Sequence, residues 1–590
     1  MPSSRAFASR LRSGCLALLL PLLLAAGCAQ LPQNVDRPVS TALASPGDTP
    51  LAALVQQRRE AAKGRFESGF LLLDGPQAAY GSRLALIEAA QKTLDLQYYA
   101  IHADASTGRL LRGVVAAARR GVRVRVLLDD FHSTGRNALV MRLAFEPGIE
   151  MRMFNPLAGA RGSTLGRMVN AISDFDRVQQ RMHNKLFLAD NAMGVTGGRN
   201  LGDAYFGIAE TSNFVDLDVL AAGPIVQDLS HSFDTYWNDE RAYPVQSLVD
   251  REELLKIRDD VRAADARQRE RDQAQDPSGA PQPPDGEPRP ADAGPTDAQR
   301  AAAWDEKPLD LRSAAFVWAP AVVMADKPAK IAAEADGPND APSAKAPGLV
   351  VTQPRDAAGA TGRAAALETV SDLTAGSETV VSGLLQLIGQ ARSDLTIISP
   401  YFVPGADMKQ AFAAARARGV RVRVLTNSLA SNDAPVAHVG YARHREELLA
   451  MGVELYELRS EQAGLGSAFG SGSSGASATG ESRSMLHSKV LVMDGRLLVV
   501  GSMNLDLRSQ LQNTEIALLI RSDALSRQAV GQIETAMRKG AWRVEQADGG
   551  LVWRAPEGSK LQDARTEPDT SAGLRLLLKL FGPLAPDALL

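Results

Sequence analysis

Apolar and polar positions alternate between two periods along much of this chain. In RLALIEAAQKT (residues 83–93) the apolar residues recur at helical spacing, and LDLQYYAI (94–101) then runs apolar as a strand. TGRLLRGVVAAARR (107–120) is helical again and stops at Gly121, and VRVRVLL (122–128) is a strand rich in β-branched residues. This β-α-β alternation predicts an α/β fold with a mostly parallel sheet and helices on both faces.

The pattern occurs twice. GLLQLIGQARSDLTIISPYFVPG (383–405) parallels the stretch at 83–104, and AAARARGVRVRVLTNS (413–428) parallels AAARRGVRVRVLLDD (116–130). Two nine-residue stretches follow in the same order, MHNKLFLAD (182–190) and LHSKVLVMD (486–494), sharing the spacing H-x-K-x4-D. Gly121 lies 62 residues before His183 and Gly419 lies 68 before His487. The Gly/Ser-rich stretch at 464–482, read as an exposed loop, accounts for the difference. The duplication predicts two similar α-β-α sandwich units related by a pseudo-two-fold.

Between and around the units the composition changes. Residues 251–300 and 327–365 are rich in Asp, Arg, Gln, Pro and Ala and poor in large apolar groups, which reads as linker. The apolar island AAFVWAPAVVMAD (314–326) reads as a strand packed on one of the units. The expected division is a signal segment at 1–28, a tether at 29–60, unit 1 at 61–247, a linker at 248–304, a packed strand segment at 305–326, a second linker at 327–370, unit 2 at 371–545 and a tail at 546–590. The tail sequence LRLLLKLFGPLAPDALL (574–590) fits either a helix on a membrane surface or one docked on the body.

Composition narrows the chemistry. The chain has 590 residues, 45% apolar and 23% charged, with a net charge of −3. Bulk nucleic-acid binding usually shows as a basic excess, which is missing, so no nucleic-acid partner is expected. The two cysteines, Cys15 and Cys28, both lie near the N-terminus, so the folded body has no disulfide framework and no cysteine-based metal site. The seven histidines show no metal-binding spacing, and no metal or cofactor is expected. Arg5, Arg10 and Arg12 precede the apolar CLALLLPLLL (15–24), which is too short to span a bilayer. LLAAGC then ends at Cys28, in the manner of a bacterial lipoprotein signal. The expectation is a protein anchored through a lipidated Cys28 to the bacterial envelope and facing the periplasm; the alternative is an ordinary cleaved signal peptide.

The repeated motif carries the chemistry. Residues two apart on a strand share a face, so His183 and Lys185, and likewise His487 and Lys489, each present an imidazole and an ammonium about 7 Å apart. One such match arises by chance in about one chain in a hundred, but two at equivalent points of a repeat do not. The flanks match too: VTGGRN (195–200) and VVGSMN (499–504) place Asn200 and Asn504 just past a strand, with Gly198 standing where the second copy has Ser502. Further on, Asp216 and Glu515 each enter another strand.

At these residues the chain resembles the phospholipase D superfamily, and within it the bacterial cardiolipin synthases, the C type in particular. The resemblance covers roughly residues 65–245 and 305–545 and includes QYYAIHAD, RMHNKLFLADN, GGRNLGDAYF, YFVP and GSMNLDLRSQLQNTEIALLI. It implies an active site at the interface of the two units and metal-free phosphodiester chemistry. His183, Lys185, Asp190, His487, Lys489 and Asp494 form the implied catalytic set. The lysines would hold the non-bridging oxygens, with hydrogen bonds from Asn200, Asn504 and Ser502. One histidine would attack phosphorus and the other would move the alcohol proton. Analogy assigns these roles to His183 and His487 respectively. Asp216 and Glu515 would bond the far ring nitrogens, whereas the distance of Asp190 and Asp494 along the strand points to a structural role. His438 and Tyr441 are either pocket residues or an ordinary solvated helix face. His102, His132 and His231 read as structural or surface residues.

The implied activity is transfer of a phosphatidyl group from phosphatidylglycerol or phosphatidylethanolamine to a second phospholipid, making cardiolipin. Other readings are a phospholipase D hydrolase that releases phosphatidic acid, a nuclease of the same fold, and an inactive lipid-binding scaffold. The expected partners are phospholipids and a membrane surface, with a small accessory protein left open.

Overall fold

A computed structural model describes residues 31–158, 161, 175–275, 294–333, 343–354, 370–460, 483–547, 549–581 and 587. The expected signal segment with Cys28 and the Gly/Ser-rich stretch at 464–482 lie outside the described residues.

Each unit is built on one sheet. In unit 1 nine strands run in the order Val317–Trp318, Gly69–Leu73, Asp218–Ala222, Met193–Gly197, Leu186–Ala189, Thr93–Tyr98, Arg123–Asp129, Ile149–Phe154, Ala242–Pro244. In unit 2 ten strands follow the same scheme, with Ala321–Asp326, Ile516–Arg521, Leu497–Gly501, Val490–Met493, Asp394–Ile398, Arg421–Asn427 and Glu454–Leu458 in the corresponding places. The sheets are mixed rather than mostly parallel. Among the described strands of these two sheets, Thr93–Tyr98, Arg123–Asp129 and Ile149–Phe154, and their counterparts in unit 2, pair in parallel and the other neighbours are antiparallel. The reason lies just past the H-x-K motif. Asp190 and Asn191 (φ 51° and 52°) and Asp494 and Gly495 (φ 53° and 61°) make tight left-handed turns, so each motif strand folds back into an antiparallel hairpin.

Three apolar cores hold the molecule together. One lies within unit 1 beneath helices Pro76–Ala89 and Ala105–Arg119, and one within unit 2 beneath helices Val380–Ile388 and Ala406–Ala417. The third is shared. Leu229 and Phe233 of helix Ile225–Trp237 and Leu525 and Ile533 of helix Asp523–Gly540 join residues of both sheets, such as Leu72, Val219, Val490 and Leu518. Burial of apolar surface at about 25 cal/mol per Å² therefore fuses the units into one body. The segment after residue 305 ties them covalently, since Val317–Trp318 pairs with the sheet of unit 1 and Ala321–Asp326 with that of unit 2.

Several expected linkers are folded. Thr49 caps helix Pro50–Ala61, and Leu51 and Val55 of that helix enter the core of unit 1, so the second part of the 29–60 tether is a packed element. Residues 248–304 contain helix Arg251–Gln275, anchored by Leu254 and Ile257, and helix Asp297–Asp305 with a Thr296 capping box. The few apolar residues in this polar stretch fall at a spacing of three, enough to bury one edge of a helix. Within 327–370, strand Leu349–Val351 forms an edge of the second sheet.

Candidate functional site

The two motif strands meet where the units join. The His183 amide donates to the Thr514 carbonyl of the other unit (2.9 Å), and the His487 amide donates to the Val215 carbonyl (2.8 Å). Strand Arg483–Leu486 pairs in parallel with Ser212–Val215, and Met182 bridges to Thr514. These contacts place each histidine beside the residue that follows its backbone partner, Glu515 in one case and Asp216 in the other. The acids are thus exchanged between the repeats. His183 Nδ1 lies 3.1 and 3.0 Å from the two Glu515 carboxylate oxygens, and His487 Nδ1 lies 2.8 Å from Asp216 Oδ2.

Both imidazoles are neutral. Burial pushes His183 down to about 4, against the pull of Glu515, and it lowers His487 well below the ordinary histidine range with help from Lys489 and Lys185. Burial also works to raise the Glu515 carboxyl, but His183, Lys185 and Ser502 outweigh it and hold the group at about 2. An ionised carboxylate facing Nδ1 puts the ring proton on that nitrogen and leaves the Nε2 lone pair available.

Lys185 and Lys489 are buried, and their ammonium groups donate to the carbonyls of His183 (2.6 Å) and His487 (2.5 Å). Among the described residues neither forms an ion pair with a carboxylate. Burial brings Lys185 down to about 7 and Lys489 to about 8. Two buried ammonium groups that donate to backbone carbonyls form a place suited to an anion.

The remaining expected residues divide. Asn504 keeps its side-chain carbonyl oxygen buried and without a hydrogen bond among the described residues. Asn200 does not: its Oδ1 accepts from the Ala100 amide (3.2 Å) and its Nδ2 donates to the Tyr205 hydroxyl (3.0 Å), so it braces the wall. Ser502 likewise spends its hydroxyl on Glu515 rather than on a substrate oxygen, and Ser509 adds a second donor to that carboxylate (2.9 Å). Asp190 and Asp494, grouped by motif with the catalytic residues, sit roughly 20 Å along the chain from their histidines at ~3.3 Å per residue. Asp190 accepts the amides of Gln91, Lys92 and Thr93, and Asp494 those of Arg392, Ser393 and Asp394. Each ties a helix-to-strand turn to the motif hairpin. His438 and Tyr441 face a buried ionic network instead of the pocket: Tyr441 bonds Glu457 (3.0 Å), and His438 lies beside Glu567 and Arg445. His231 is exposed on helix Ile225–Trp237.

Aromatic rings wall the two histidines, and strand-end position alone leaves Tyr98 and Tyr99 open between ligand side and core. The Tyr99 ring stands edge-on to His183 at 5.1 Å, and Tyr205 stands edge-on to His487 at 5.3 Å, with Phe214 at 5.0 Å. Tyr99 directly follows strand Thr93–Tyr98 and faces the site, whereas its neighbour Tyr98 turns into the core against Arg83. No pattern singled out Tyr205, Phe214 or Ser509, which reach the site from the short turn Asp203–Tyr205, strand Ser212–Val215 and helix Leu507–Leu511.

With the geometry in place, comparison with known proteins identifies the family. Residues 84–237 and 384–537 match the model described as "Cardiolipin synthase, PLD-like domain". The chain belongs to this family. It is 32% identical over 527 residues to cardiolipin synthase C of Escherichia coli (strain K12), covering 89% of this chain and 96% of that protein. It is 28% identical over 567 residues to an uncharacterized protein of Helicobacter pylori (strain ATCC 700392 / 26695), covering 95% and 97%. Among solved structures, phosphatidylserine synthase of Haemophilus influenzae Rd KW20 shares the fold with a TM-score of 0.51 at 12% identity, over 90% of this chain and 97% of that one. The chain is thus a phospholipase D superfamily enzyme, homologous to cardiolipin synthase, and a phospholipid phosphatidyltransferase.

Proposed function

We propose that this phosphatidyltransferase makes cardiolipin from phosphatidylglycerol and a second phospholipid, phosphatidylglycerol or phosphatidylethanolamine, through a phosphohistidine on His183. The observation that carries the reading is the pair of buried ammonium groups, with no carboxylate ion-pair partner among the described residues, each two residues from an acid-backed imidazole. A phosphodiester supplies the missing negative charge. Lys185 and Lys489 hold its non-bridging oxygens. His183 Nε2 attacks phosphorus, the P–O bond to the headgroup alcohol breaks, and His487 gives the departing oxygen a proton. The arriving anion offsets the two lysines that keep His487 unprotonated, so substrate binding itself raises the acid. In the second step His487 takes the proton of the incoming hydroxyl, a new P–O bond forms and the P–N bond breaks.

The test is lipid turnover by the purified full chain with phosphatidylglycerol, with and without phosphatidylethanolamine, in the presence of chelator and read by mass spectrometry. Cardiolipin from the wild type and from neither His183→Ala nor His487→Ala is the expected result. Phosphatidic acid as the sole product would replace this reading with a hydrolase.

Attachment to the bacterial envelope through a lipidated Cys28, facing the periplasm, remains part of the proposal. Among the described residues no helix is long and apolar enough to cross a membrane. Helix Ala572–Phe581 leaves Leu576 and Leu580 exposed at 60% and 64%, four residues apart on one face, which supports contact with a lipid surface. Reduced flotation of Leu576→Asp/Leu580→Asp protein with anionic vesicles is expected; unchanged flotation would remove the tail from the proposal.

A further inference from the structure

The rings beside His183 and His487 do not stop at the tyrosines. His132 stands edge-on to Tyr99 at 4.9 Å, His102 lies 6.0 Å from His132, and His102 stacks with Tyr205 at 6.2 Å. A continuous arc of rings therefore runs from His183 through Tyr99, His132, His102 and Tyr205 to His487. Two of its members are imidazoles to which the mechanism gives no task.

Both have hydrogen-bonding positions to spare. Asn137 Oδ1 accepts the Ala103 amide (2.9 Å), which fixes the orientation of that side chain and turns its Nδ2 toward His102 Nδ1 (3.3 Å). His102 Nδ1 is therefore an acceptor, its proton resides on Nε2, and that N–H has no partner among the described residues. Neither ring nitrogen of His132 is hydrogen-bonded to a described residue. Burial pushes His132 down to about 4, with His102, Arg181, His183 and Lys185 adding to the effect, and it lowers His102 as well. The rings are thus neutral, and His132 offers one donor and one acceptor.

This chemistry suits hydroxyl groups. A neutral ring has no charge for the phosphate, which the lysines already take. The nearby acids Asp104 and Asp203 are spent on the backbone amides of Thr107, Asp203 and Ser106, so neither is free to receive an ammonium. His132 is two ring steps, of 5.1 and 4.9 Å, from the attacking histidine, and the partly exposed Phe131 closes on it edge-on at 5.1 Å.

We propose that His102 and His132, with Asn137 behind them, form the subsite for the alcohol side of the reaction and select a polyol of the glycerol class. The inference rests on the phosphatidyl-transfer reading above and names the residues that would hold its headgroup. By microscopic reversibility one subsite serves the glycerol that leaves the donor and the glycerol hydroxyl that arrives.

The test is a competition. The full chain receives phosphatidylglycerol with equal concentrations of deuterated glycerol and propan-1-ol, and mass spectrometry reads the ratio of deuterated phosphatidylglycerol to phosphatidylpropanol. Each product forms by the same exchange, a P–N bond for a P–O bond with the alcohol proton passing to His487. The wild type is expected to prefer glycerol. His102→Phe and His132→Phe keep a ring in the arc, and each is expected to lower the ratio about fivefold, the worth of one neutral hydrogen bond. His132→Gln, which keeps a donor and an acceptor, is expected to recover part of it. An unchanged ratio in both Phe variants, whatever their total rate, would overturn the proposal and leave the rings a packing role. A wild type that prefers glycerol yet makes no cardiolipin would sink the synthase reading and leave the subsite standing. Transfer to neither alcohol nor lipid would overturn both.

Discussion

Glu515 and Asp216 perform one task for opposite histidines, and they are built differently. Glu515 reaches across with a longer side chain and accepts from Ser502, Ser509 and His183, and His183, Lys185 and Ser502 hold it ionised against burial. Asp216 is one methylene shorter and has the Leu217 amide (2.8 Å) and His487 as hydrogen-bond partners, and burial raises it against Arg199 and Lys489. The difference extends to the residue beneath. A Cβ at Gly198 would lie 2.5 and 2.6 Å from the Asp216 oxygens, whereas at the equivalent place Ser502 supplies a hydroxyl. One half-site is a bare glycine cradle for a short acid, and the other a hydroxyl-lined cradle for a long one. A firmly ionised acid behind His183 fixes the ring proton on Nδ1 and leaves the Nε2 lone pair outward, as a nucleophile needs. A weaker acid behind His487 suits a ring that must gain and lose a proton.

The largest expected effect separates the two histidines. With a phosphodiester whose leaving group is p-nitrophenol, protonation of the departing oxygen is unnecessary. His183→Ala should then lose activity by on the order of 10⁴, while His487→Ala should keep a burst of p-nitrophenolate in stopped-flow measurements. A burst from His183→Ala instead would exchange the assigned roles. Next comes Gly198→Ala, which displaces the Asp216 carboxylate. A fall in kcat of about 10² is expected, whereas Ser502→Gly should cost only about tenfold because Ser509 still holds Glu515. Equal losses would mean that the cradles are equivalent after all.

The pH profile tests both half-sites together. Lys185 and Lys489 sit below the ordinary lysine range, at about 7 and about 8, so their charged forms are lost as pH rises through that window. The alkaline limb of kcat/KM should fall there, and the acid limb should fall as His183 gains a proton near pH 4. Bound phosphate stabilises the ammonium form, so the alkaline limb of kcat should lie higher. A limb near pH 10 in kcat/KM would contradict buried, unpaired lysines. The smallest effect belongs to the turn aspartates. Asp190→Ala should lower stability by about 1–3 kcal/mol in urea unfolding, through its three unsatisfied amides, with turnover following folded protein. A loss of turnover in fully folded protein would return Asp190 to the chemistry.

The sequence by itself determined the repeat, its β-α-β rhythm and the residues that carry charge or a ring nitrogen at the motif. Period-2 and period-3.6 spacing are local properties, and H-x-K on a strand places both side chains on one face wherever that strand ends up. Packing decided the rest. The exchange of acids follows from His183 pairing with Thr514 and His487 with Val215, contacts between residues more than 270 positions apart that no spacing encodes. The tight turns at Asp190 and Asp494 made the sheets mixed, although each aspartate read only as the end of a motif. Leu254 and Ile257 drew a polar stretch into a helix because a core stood ready to bury them. His102 and His132 looked idle in the chain and became neighbours of the site through burial and through an aromatic arc that only the folded units bring together.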